Sequence, residues 1–499
     1  MTSLDELKQK WFINTADPEA FPPPTRHLGS RVADHSDGNL VTPLIDGSNI
    51  MGYFEDRLAE LLTAGDPSQA RIWLAAMGIE PVAFKGQNSG SKDAITAMLE
   101  AAGAGVQIAY LGSGQGNLAM ASKKFARQLS ERGSQGVVDK RFPFASGHHQ
   151  KFNVTYRPQG DWQAVVGSAD FFFARWDDPD HAAENPARPK GPTHDAAVLV
   201  KGPATADILL TFTERWNDLA TSGRTTPHIE QPLPDPAGDL PTAAGSHSVQ
   251  VLRTYPVVKN GRGFSWSGQG EFTIWAAYLK AIKAAQTTIY IEDQYLYPFG
   301  DPPFIYGPDT VERETDYVYQ LGLALKRGVD VVALVPGRND SLPKHYENQQ
   351  RRRATEYLAD IANSTPGAGR FVVAKLHRGG NDVTVHSKLM LIDDELILVG
   401  THNICQRSIA YISEIHLGIV DADDRLARDL RVALWAEHLE LDDPDALLDP
   451  RQAAGLFEEN AAGGKGRLIA YPTQRFKREF PYRFLMNRLI DPYAGPKRS

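Results

Sequence analysis

A histidine and a lysine lie two residues apart in the segment TVHSKLMLIDD, residues 384–394. The segment is mostly apolar and ends at the turn-forming pair Asp393-Asp394, a pattern that predicts a β-strand. Side chains alternate between the two faces of a strand, so His386 and Lys388 are expected to point to the same side. A titratable ring beside a fixed cation can bind an anion and move protons on it.

The same pattern occurs a second time, earlier in the chain. Residues 148–178, HHQKFNVTYRPQGDWQAVVGSADFFFARWDD, and residues 385–414, VHSKLMLIDDELILVGTHNICQRSIAYISE, each contain His-x-Lys, a turn, a second strand and Gly-x-x-Asp or Gly-x-x-Asn. An acidic residue and a helix-like run with a tryptophan complete each copy. The matching positions are His149 and His386, Lys151 and Lys388, Asp170 and Asn403, and Asp195 and Glu414. This duplication predicts pseudo-twofold halves whose His-x-Lys strands face one site.

The remaining sequence favours an α/β fold in two halves. Apolar strand candidates such as GVQIAYLG and DVVALVPG alternate with helix candidates such as FTIWAAYLKAIKAAQ, which is typical of α/β layers. We therefore predict two α/β/α halves, with mixed sheets flanked by helices and packed with pseudo-twofold symmetry. The predicted boundaries are an N-terminal extension 1–39, a first half 40–225, a Pro- and Gly-rich linker 226–248, a second half 249–445 and a C-terminal tail 446–499.

Composition narrows the class of protein. The chain has 499 residues, 42% of them hydrophobic and 23% charged, and a net charge of -8, which suit a soluble globular protein and argue against a general nucleic-acid coat. Cys405 is the single cysteine, which excludes an internal disulfide and a cysteine-rich zinc site. Without a signal-peptide pattern or a run of about 18 apolar residues, we expect a cytoplasmic protein. A secreted protein whose signal peptide was removed is the alternative.

The duplicated residues resemble the signature of the phospholipase D superfamily, His-x-Lys-x-x-x-x-Asp followed by Gly-x-x-Asn or Gly-x-x-Asp, present twice per active site. The second copy is complete, with His386, Lys388, Asp393, Gly400 and Asn403. In the first half, GSADFFFARWDD and PTHDAAVLVKGPAT are similar to the family's Arg-Trp-Asp and Trp-His-Asp blocks. The similarity spans most of residues 40–440 and is to the two-copy lipid phosphodiesterases, which implies a monomer.

The resemblance also implies what the duplicated residues do. His149 would attack phosphorus and form a phosphohistidine, and His386 would act as general acid and base, although the sequence by itself does not distinguish the two rings. Lys151 and Lys388 would stabilise negative charge in the transition state. This chemistry requires no metal and no cofactor.

Further residues are expected to support the two rings and the substrate. The family positions assign Asp195 to His149 and Glu414 to His386, so that each carboxylate holds the ring nitrogen that does not react. Asn403 is expected to donate its amide to a phosphate oxygen. Asp170 and Ser168 lie in the matching segment of the first half, where an ionised Asp170 suits an orienting role better than a phosphate contact. In YIEDQY, Glu292 and Gln294 fit either a supporting role or a buried hydrogen-bonded pair.

The first copy departs from the signature at one position, where Tyr156 replaces the aspartate. Tyr156 lies seven residues after His149, so strand periodicity places it on the opposite face. His149 and Asp170 are 21 residues apart, whereas His386 and Asn403 are 17 apart, which makes the first hairpin four residues longer. We therefore expect a rebuilt turn and an intact catalytic face.

The main functional hypothesis is a phospholipase D-type phosphodiesterase that hydrolyses glycerophospholipids to phosphatidic acid and can pass the phosphatidyl group to an alcohol. The alternatives are the same chemistry on a soluble phosphodiester or in a biosynthetic transfer, and a non-catalytic scaffold, which two intact His-Lys pairs disfavour. The segment RFKREFPYRFLMNRL, residues 475–489, interleaves basic and aromatic residues. It fits a tail packed on the body, which we favour, or a peripheral contact with an anionic membrane.

Overall fold

The strands of the protein form two sheets of the same design. The structure is a computed structural model that describes residues 3–17, 20–63, 65–116, 118–143, 146–221, 240–258, 263–266, 268–300, 311–337, 342–423, 425–473 and 491–493. The strands of the first half are β1 (Ser36–Ile45), β2 (Arg71–Ala76), β3 (Gln107–Ser113), β4 (Gln135–Asp139), β5 (Phe152–Arg157), β6 (Asp161–Gly167), β7 (Thr193–His194) and β8 (Ala196–Lys201).

The second half has a matching set of strands. They are β9 (His247–Tyr255), β10 (Glu271–Phe272), β11 (Thr288–Asp293), β12 (Asp330–Leu334), β13 (Phe371–Arg378), β14 (Asn381–Val385), β15 (Lys388–Ile392), β16 (Leu396–Gly400), β17 (Glu414–Asp421) and β18 (Leu468–Ala470). The helices are α1 (Leu4–Trp11), α2 (Asp46–Thr63), α3 (Ala94–Gly103), α4 (Leu118–Ser130), α5 (Ala204–Thr221), α6 (Thr273–Ala284), α7 (Tyr317–Lys326), α8 (Leu342–Ser364), α9 (Gln406–Ala410), α10 (Leu426–Leu439) and α11 (Pro450–Gly463).

The order and direction of the strands repeat between the halves. The first sheet runs β4-β3-β2-β5-β6-β8-β1, with β2, β3 and β4 parallel and the other neighbours antiparallel. The second runs β13-β12-β11-β15-β16-β17-β9 with the same directions. The start of β1 also pairs with β9, which joins the sheets at their edges. The predicted fold of duplicated α/β halves with mixed sheets is therefore confirmed.

The largest hydrophobic cluster lies between the two sheets and includes side chains of both. Val154 and Val166 belong to the first sheet, and Leu389 and Leu417 to the second. The tryptophans of the two repeats, Trp216 on α5 and Trp435 on α10, are fully buried in this cluster. Separate clusters pack α2, α3 and α4 on the first sheet and α6, α7 and α8 on the second. Of the helices that the structure describes, none is long and apolar enough to cross a membrane.

Local sequence signals account for several helix boundaries. The Asp93 side chain accepts a hydrogen bond from the Thr96 N–H and caps α3. Asp449 caps α11 in the same way, and Pro450 occupies the first position of that helix, where its missing N–H has no cost. Gly464, with a φ of 61°, ends α11 in the left-handed conformation that favours glycine.

The segments at both ends of the chain contain elements that pack on the second half. In the predicted N-terminal extension, Leu7 and Trp11 of α1 pack into the outer core of the second half. Within the predicted tail, β18 pairs with β13 and Phe457 of α11 is buried in the central cluster. A three-residue strand is too short to be recognised from sequence periodicity. Residues 475–489 and residues 226–239 of the linker lie outside the described part of the chain.

The hairpin turns explain the departure at Tyr156. Asp393 and Asp394, both in the left-handed region with φ of 54° and 60°, are the first two residues of the three-residue turn between β15 and β16. The first hairpin is longer, and its turn contains Gln159 and Gly160 with positive φ. Tyr156 lies within β5, with its ring 4.5 Å from that of Trp162. The rebuilt turn is therefore as predicted.

The side-chain parity of β5 is also as predicted. Phe152 and Val154 belong to the cluster between the sheets, and Tyr156 packs against it. On the other face, Thr155 accepts a hydrogen bond from Arg57 of α2. Lys151 has the parity of Thr155, so Tyr156 points away from the face that carries the lysine.

The signature aspartate of the second copy has a structural role. The Asp393 carboxylate is buried and accepts hydrogen bonds from the backbone N–H groups of Gln286 at 2.8 Å, Thr287 at 2.8 Å and Thr288 at 3.0 Å. These bonds fasten the β15–β16 hairpin to the start of β11. The aspartate thus fixes the strand that carries Lys388 without contributing to the chemistry.

Replacement of Asp393 is expected to lower stability. Asp393→Ala leaves three backbone donors without their acceptor, which is expected to lower the free energy of unfolding by about 2–4 kcal/mol in urea titrations. Asp393→Asn keeps one acceptor oxygen and should lose less. The exposed Asp429 provides a control, since Asp429→Ala should change stability by less than about 0.5 kcal/mol. An Asp393→Ala variant as stable as this control would contradict the assignment.

Candidate active site

The two His-x-Lys segments meet where the halves face each other. His149 and Lys151 immediately precede β5, and His386 and Lys388 lie at the start of β15, so each pair enters the middle of its own sheet. The backbone N–H of His149 donates to the Ser413 carbonyl of the second half at 2.9 Å. The N–H of His386 donates to a carbonyl of the first half, at residue 194, at 2.8 Å. Each histidine is therefore tied by its backbone to the opposite half.

The side chains of the histidines are tied across the halves as well. His149 Nδ1 lies 2.9 Å from Glu414 Oε2, and His386 Nδ1 lies 2.7 Å from Asp195 Oδ1. The predicted pairing, Asp195 with His149 and Glu414 with His386, is wrong, because the partners are exchanged. Asp195 directly precedes β8, and Glu414 is the first residue of β17. Both carboxylates lie at the face between the halves, where each is nearer to the histidine of the opposite half. The distance from each carboxylate to the opposite histidine depends on how the halves pack, and it cannot be read from the order of residues along the chain.

The two carboxylates are oriented by hydroxyl groups at matching positions. Ser168 Oγ donates to Asp195 Oδ1 at 2.5 Å and accepts from the Ala196 N–H. Thr401 Oγ1 donates to Glu414 Oε2 at 2.6 Å. Ser168 is fully buried and its hydroxyl bonds to Asp195, which indicates a supporting position, while substrate binding by Ser168 stays a prediction. The sequence signal for this arrangement was a hydroxyl residue directly after the glycine in both Gly-x-x-Asp and Gly-x-x-Asn segments.

Each lysine is held beside its own histidine. Lys151 Nζ donates to the His149 carbonyl at 2.9 Å and lies 3.4 Å from Asp170 Oδ2. Lys388 Nζ donates to the His386 carbonyl. Burial lowers the pKa of Lys151, and Asp170 opposes that shift. Asp170 also accepts a hydrogen bond from the backbone at residue 77, which gives it the orienting role expected from the sequence.

The carboxylate that faces the second lysine comes from a different element. Asp293, the last residue of β11, pairs in register with Lys388 and accepts a hydrogen bond from the Ile404 N–H at 3.0 Å. Burial lowers the pKa of Lys388, whereas Asp195 and Asp293 raise it. In the first half Ala76 ends the equivalent strand, and Asp170 supplies the carboxylate. Sequence analysis missed Asp293, although it lies between the two polar residues that were singled out in YIEDQY.

Because Asp293 takes the place of Asp170 as the carboxylate beside the lysine, the position that matches Asp170 in the second half carries an uncharged amide. Asn403 occupies the position of Asp170 and is 2% exposed. Its Oδ1 has no hydrogen-bond partner among the described residues. Buried polar atoms are normally paired, so this amide is available to a ligand. Rotation of the group by half a turn presents the NH₂ instead, which can donate to a phosphate oxygen as predicted.

Arg175 is a further cation of the site that sequence analysis did not assign. It lies in the short turn after β6 and is half-buried. Its positive charge lowers the pKa of His386 and of Lys388. The signal was present in the Arg-Trp-Asp block, where the arginine precedes Trp176. A guanidinium at this position can bind the oxygens of a phosphate group.

Burial and positive charge decide the protonation of the two rings. Burial lowers the pKa of His149 well below its usual value, and Lys151 and Lys388 lower it further. Burial and then Arg175 do the same for His386. Burial raises the pKa of Glu414 to about 7, and Lys151 opposes that rise. We therefore describe both rings as neutral in the free protein, with Nδ1–H donating to a carboxylate and Nε2 carrying a lone pair.

This geometry can be set beside known proteins. A family model described as "Cardiolipin synthase, PLD-like domain" matches residues 278–435, which include His386, Lys388, Asn403 and Glu414. Phospholipase D alpha 1 of Carica papaya is 26% identical over 427 residues, covering 64% of this chain and 52% of that protein. Phospholipase D A of Dictyostelium discoideum is 26% identical over 300 residues, covering 51% of this chain and 22% of that protein.

Among solved structures, phosphatidylserine synthase of Haemophilus influenzae has a TM-score of 0.48 at 15% identity, covering 88% of this chain and 95% of that one. The family model and the sequence relatives support the phospholipase D superfamily for this chain. The chain spans about half the length of the papaya relative that it matches.

The two polar positions of the first motif are expected to differ in their effect on activity. Tyr156→Phe should keep activity within about tenfold, roughly 1.4 kcal/mol, because the ring points away from the site. Lys151→Ala should lose about 100-fold or more, because it removes a cation from the phosphate site. Both variants would be assayed on one soluble phosphodiester, with folding checked by circular dichroism. A folded Tyr156→Phe variant as inactive as Lys151→Ala would place the phenol in the chemistry.

The protonation of the rings is expected to respond to an anion. In ¹⁵N-histidine NMR, with signals assigned by His149→Asn and His386→Asn, both rings should remain neutral at pH 6.5 in the free protein. Tungstate should move both titrations to higher pH, because a bound anion stabilises each imidazolium. A ring that is already half-protonated at pH 6.5 without an anion would contradict the assigned charge states.

Proposed function

We propose that the protein hydrolyses glycerophospholipids to phosphatidic acid by phospholipase D chemistry, through a phosphohistidine on His149. The observation that supports this proposal best is the crossed arrangement of two imidazoles, each with Nδ1 held by a carboxylate of the opposite half. Such a pair offers one ring to attack and one to move protons. The relatives from papaya and Dictyostelium, which are named phospholipase D, support the choice of substrate class.

The first step uses the lone pair of the more accessible ring. His149 is 18% exposed at its side chain, against 5% for His386. Nε2 of His149 attacks phosphorus, the bond from phosphorus to the head-group oxygen breaks, and that oxygen takes a proton from Nε2 of His386. Nε2 of His386 takes this proton from solvent as substrate binds, because the phosphodiester anion offsets the cations that keep the ring neutral. Lys151 and Lys388 stabilise the charge that develops on the nonbridging oxygens.

The second step returns both rings to their starting states. Water attacks the phosphohistidine and gives a proton to Nε2 of His386, the N–P bond breaks, and phosphatidic acid leaves. An alcohol that enters in place of water gives a phosphatidyl ester instead. The carboxylates remain on Nδ1 throughout and stabilise each imidazolium as it forms.

Transfer to an alcohol is the second candidate. The family model that covers the second His-x-Lys segment is described by the name of a synthase, which supports a biosynthetic transfer. The two candidates share every residue of the mechanism and differ only in the acceptor. Acceptor competition therefore distinguishes them.

The roles of the two histidines are testable with a substrate whose leaving group needs no acid. With short-chain phosphatidyl-p-nitrophenol, His386→Asn is expected to release about one nitrophenolate per chain and then stall, because the phosphohistidine forms but is not hydrolysed. His149→Asn should show no burst. A burst in His149→Asn alone would exchange the roles of the rings, and no burst in either variant would overturn the covalent mechanism.

The substrate class is tested with the wild-type protein. Phosphatidylcholine and phosphatidylethanolamine vesicles containing ethanol are expected to yield phosphatidic acid and phosphatidylethanol, with Lys388→Ala at least about 100-fold slower. Glycerophosphocholine serves as the soluble competitor. Turnover of the soluble diester without turnover of vesicles would contradict the lipid assignment, and an ester product with almost no phosphatidic acid would favour the transferase.

A further inference from the structure

A second cluster of histidines and carboxylates lies outside the active site, where α2, the loop before β7, β11 and α10 meet. All of its members except the part-exposed Glu437 are buried, and they come from both halves of the chain. They are Asp46, His181, His194, Glu292, Glu437 and His438. Neither the phosphodiesterase mechanism nor the duplicated signature uses these side chains.

The orientation of His181 is fixed by a carboxylate on one side of the ring. His181 Nδ1 lies 2.8 Å from Asp177 Oδ2. Asp177 is itself held by Arg188 at 2.9 Å and by the Thr193 N–H at 3.0 Å, which orients its carboxylate to accept the Nδ1 proton. Nε2 then carries a lone pair that points into the cluster. A carboxylate behind a histidine in this way is the usual support of a metal-binding imidazole.

One ring nitrogen of His181 and one carboxylate oxygen each of Asp46 and Glu437 lie close together without a hydrogen bond from the ring to either oxygen. Nε2 of His181 lies 3.6 Å from Asp46 Oδ2 and 3.6 Å from Glu437 Oε1. Both separations are too long for hydrogen bonds. His181 and Asp46 are fully buried, and neither Nε2 nor Oδ2 has a hydrogen-bond partner among the described residues. Two unpaired buried atoms that face each other call for a shared ligand.

The separations match the size of a small divalent cation. An ion about 2.1 Å from each of two atoms that are 3.6 Å apart subtends an angle of about 120°, which is close to tetrahedral or trigonal coordination. A proton on Nε2 fits less well, because it would need an acceptor nearer than either oxygen. Imidazole with two carboxylates is a ligand set that zinc and neighbouring transition metals accept.

We propose that Asp46, His181 and Glu437 form a binding site for one divalent transition-metal ion of the zinc class. His194 Nδ1 orients Asp46 through Oδ1 at 2.9 Å, and Arg467 orients Glu437 at 2.9 Å. The ion would join the first half, through Asp46 and His181, to α10 of the second half. Its role is to hold the halves together, and no step of the phosphoryl transfer passes through it.

The site is connected to the active site through the backbone of Asp195. Asp46 Oδ1 accepts a hydrogen bond from the Asp195 N–H at 3.3 Å, and the Asp46 N–H donates to the Asp195 carbonyl at 2.8 Å. Both Asp46 and His181 have positive φ, of 65° and 48°, a strained conformation for residues with a side chain. An ion that fixes Asp46 therefore also fixes the backbone of the carboxylate that holds His386.

Metal content tests the proposal independently of enzymatic activity. Full-length protein equilibrated with Zn²⁺ or Mn²⁺ and passed through a desalting column is expected to retain about one ion per chain by mass spectrometry of the metal. His181→Gln and Glu437→Gln should lose the ion, and Asp177→Asn should bind it about 10- to 100-fold more weakly. His27→Gln is the matched control, because His27 is a buried histidine paired with Glu214 at 3.0 Å and belongs to no group of three possible metal ligands among the described residues.

Each outcome decides the question. Zn²⁺ should raise the midpoint of thermal unfolding of the wild type and of His27→Gln, but not of Glu437→Gln, whose side chain is 20% exposed and whose replacement is the mildest for folding. Wild-type protein that retains no ion overturns the proposal. Equal retention by folded Glu437→Gln and His181→Gln, as checked by circular dichroism, also overturns it, because the ion would then be adventitious.

Discussion

His149 and His386 are each held by a carboxylate that belongs to the other half of the chain, and the packing of the halves maintains this arrangement. Glu414 reaches His149 and Asp195 reaches His386, so neither half contains one of these two histidines together with its carboxylate. The sheets must therefore face each other closely and remain in register. The shared apolar cluster between them and the β1–β9 pairing supply that constraint. Buried rings without these carboxylates would have no fixed tautomer.

The two halves share a backbone plan but differ in how they neutralise their lysines. In the first half the Gly-x-x-Asp segment provides Asp170, and in the second half the end of β11 provides Asp293. In the first half, Asp170 accepts a hydrogen bond from the backbone at the end of β2, whereas in the second half Asp293, at the end of β11, accepts one from the segment after Asn403. The carboxylate and the backbone donor therefore exchange places between the halves. This asymmetry leaves Asn403 as an uncharged polar group, so that one side of an otherwise cationic site can distinguish the parts of a substrate.

Positive charge and burial make the free site suited to an anion. In the proposed mechanism, the cations add to burial in lowering the pKa of both histidines, and a bound phosphodiester would oppose their effect. Substrate would thus supply the condition under which one ring can act as an acid. Beneath the site, the cluster around Asp46 and His181 repeats the use of both halves, because its ligands also come from each. The same interface that completes the chemistry would therefore be strengthened by the ion.

The sequence by itself determined the α/β class, the duplication, the two His-x-Lys pairs and the opposite parity of Tyr156, because periodicity and repeated spacing are local properties of a chain. It also indicated the turn at Asp393. Tertiary structure alone decided which carboxylate serves which histidine, that Ser168 supports Asp195, that Asp293 replaces Asp170, and that β18 completes the second sheet. These features depend on distances across the interface of the halves, between residues that are far apart in sequence. Such distances follow from how two sheets pack, and the order of residues along one strand does not contain them.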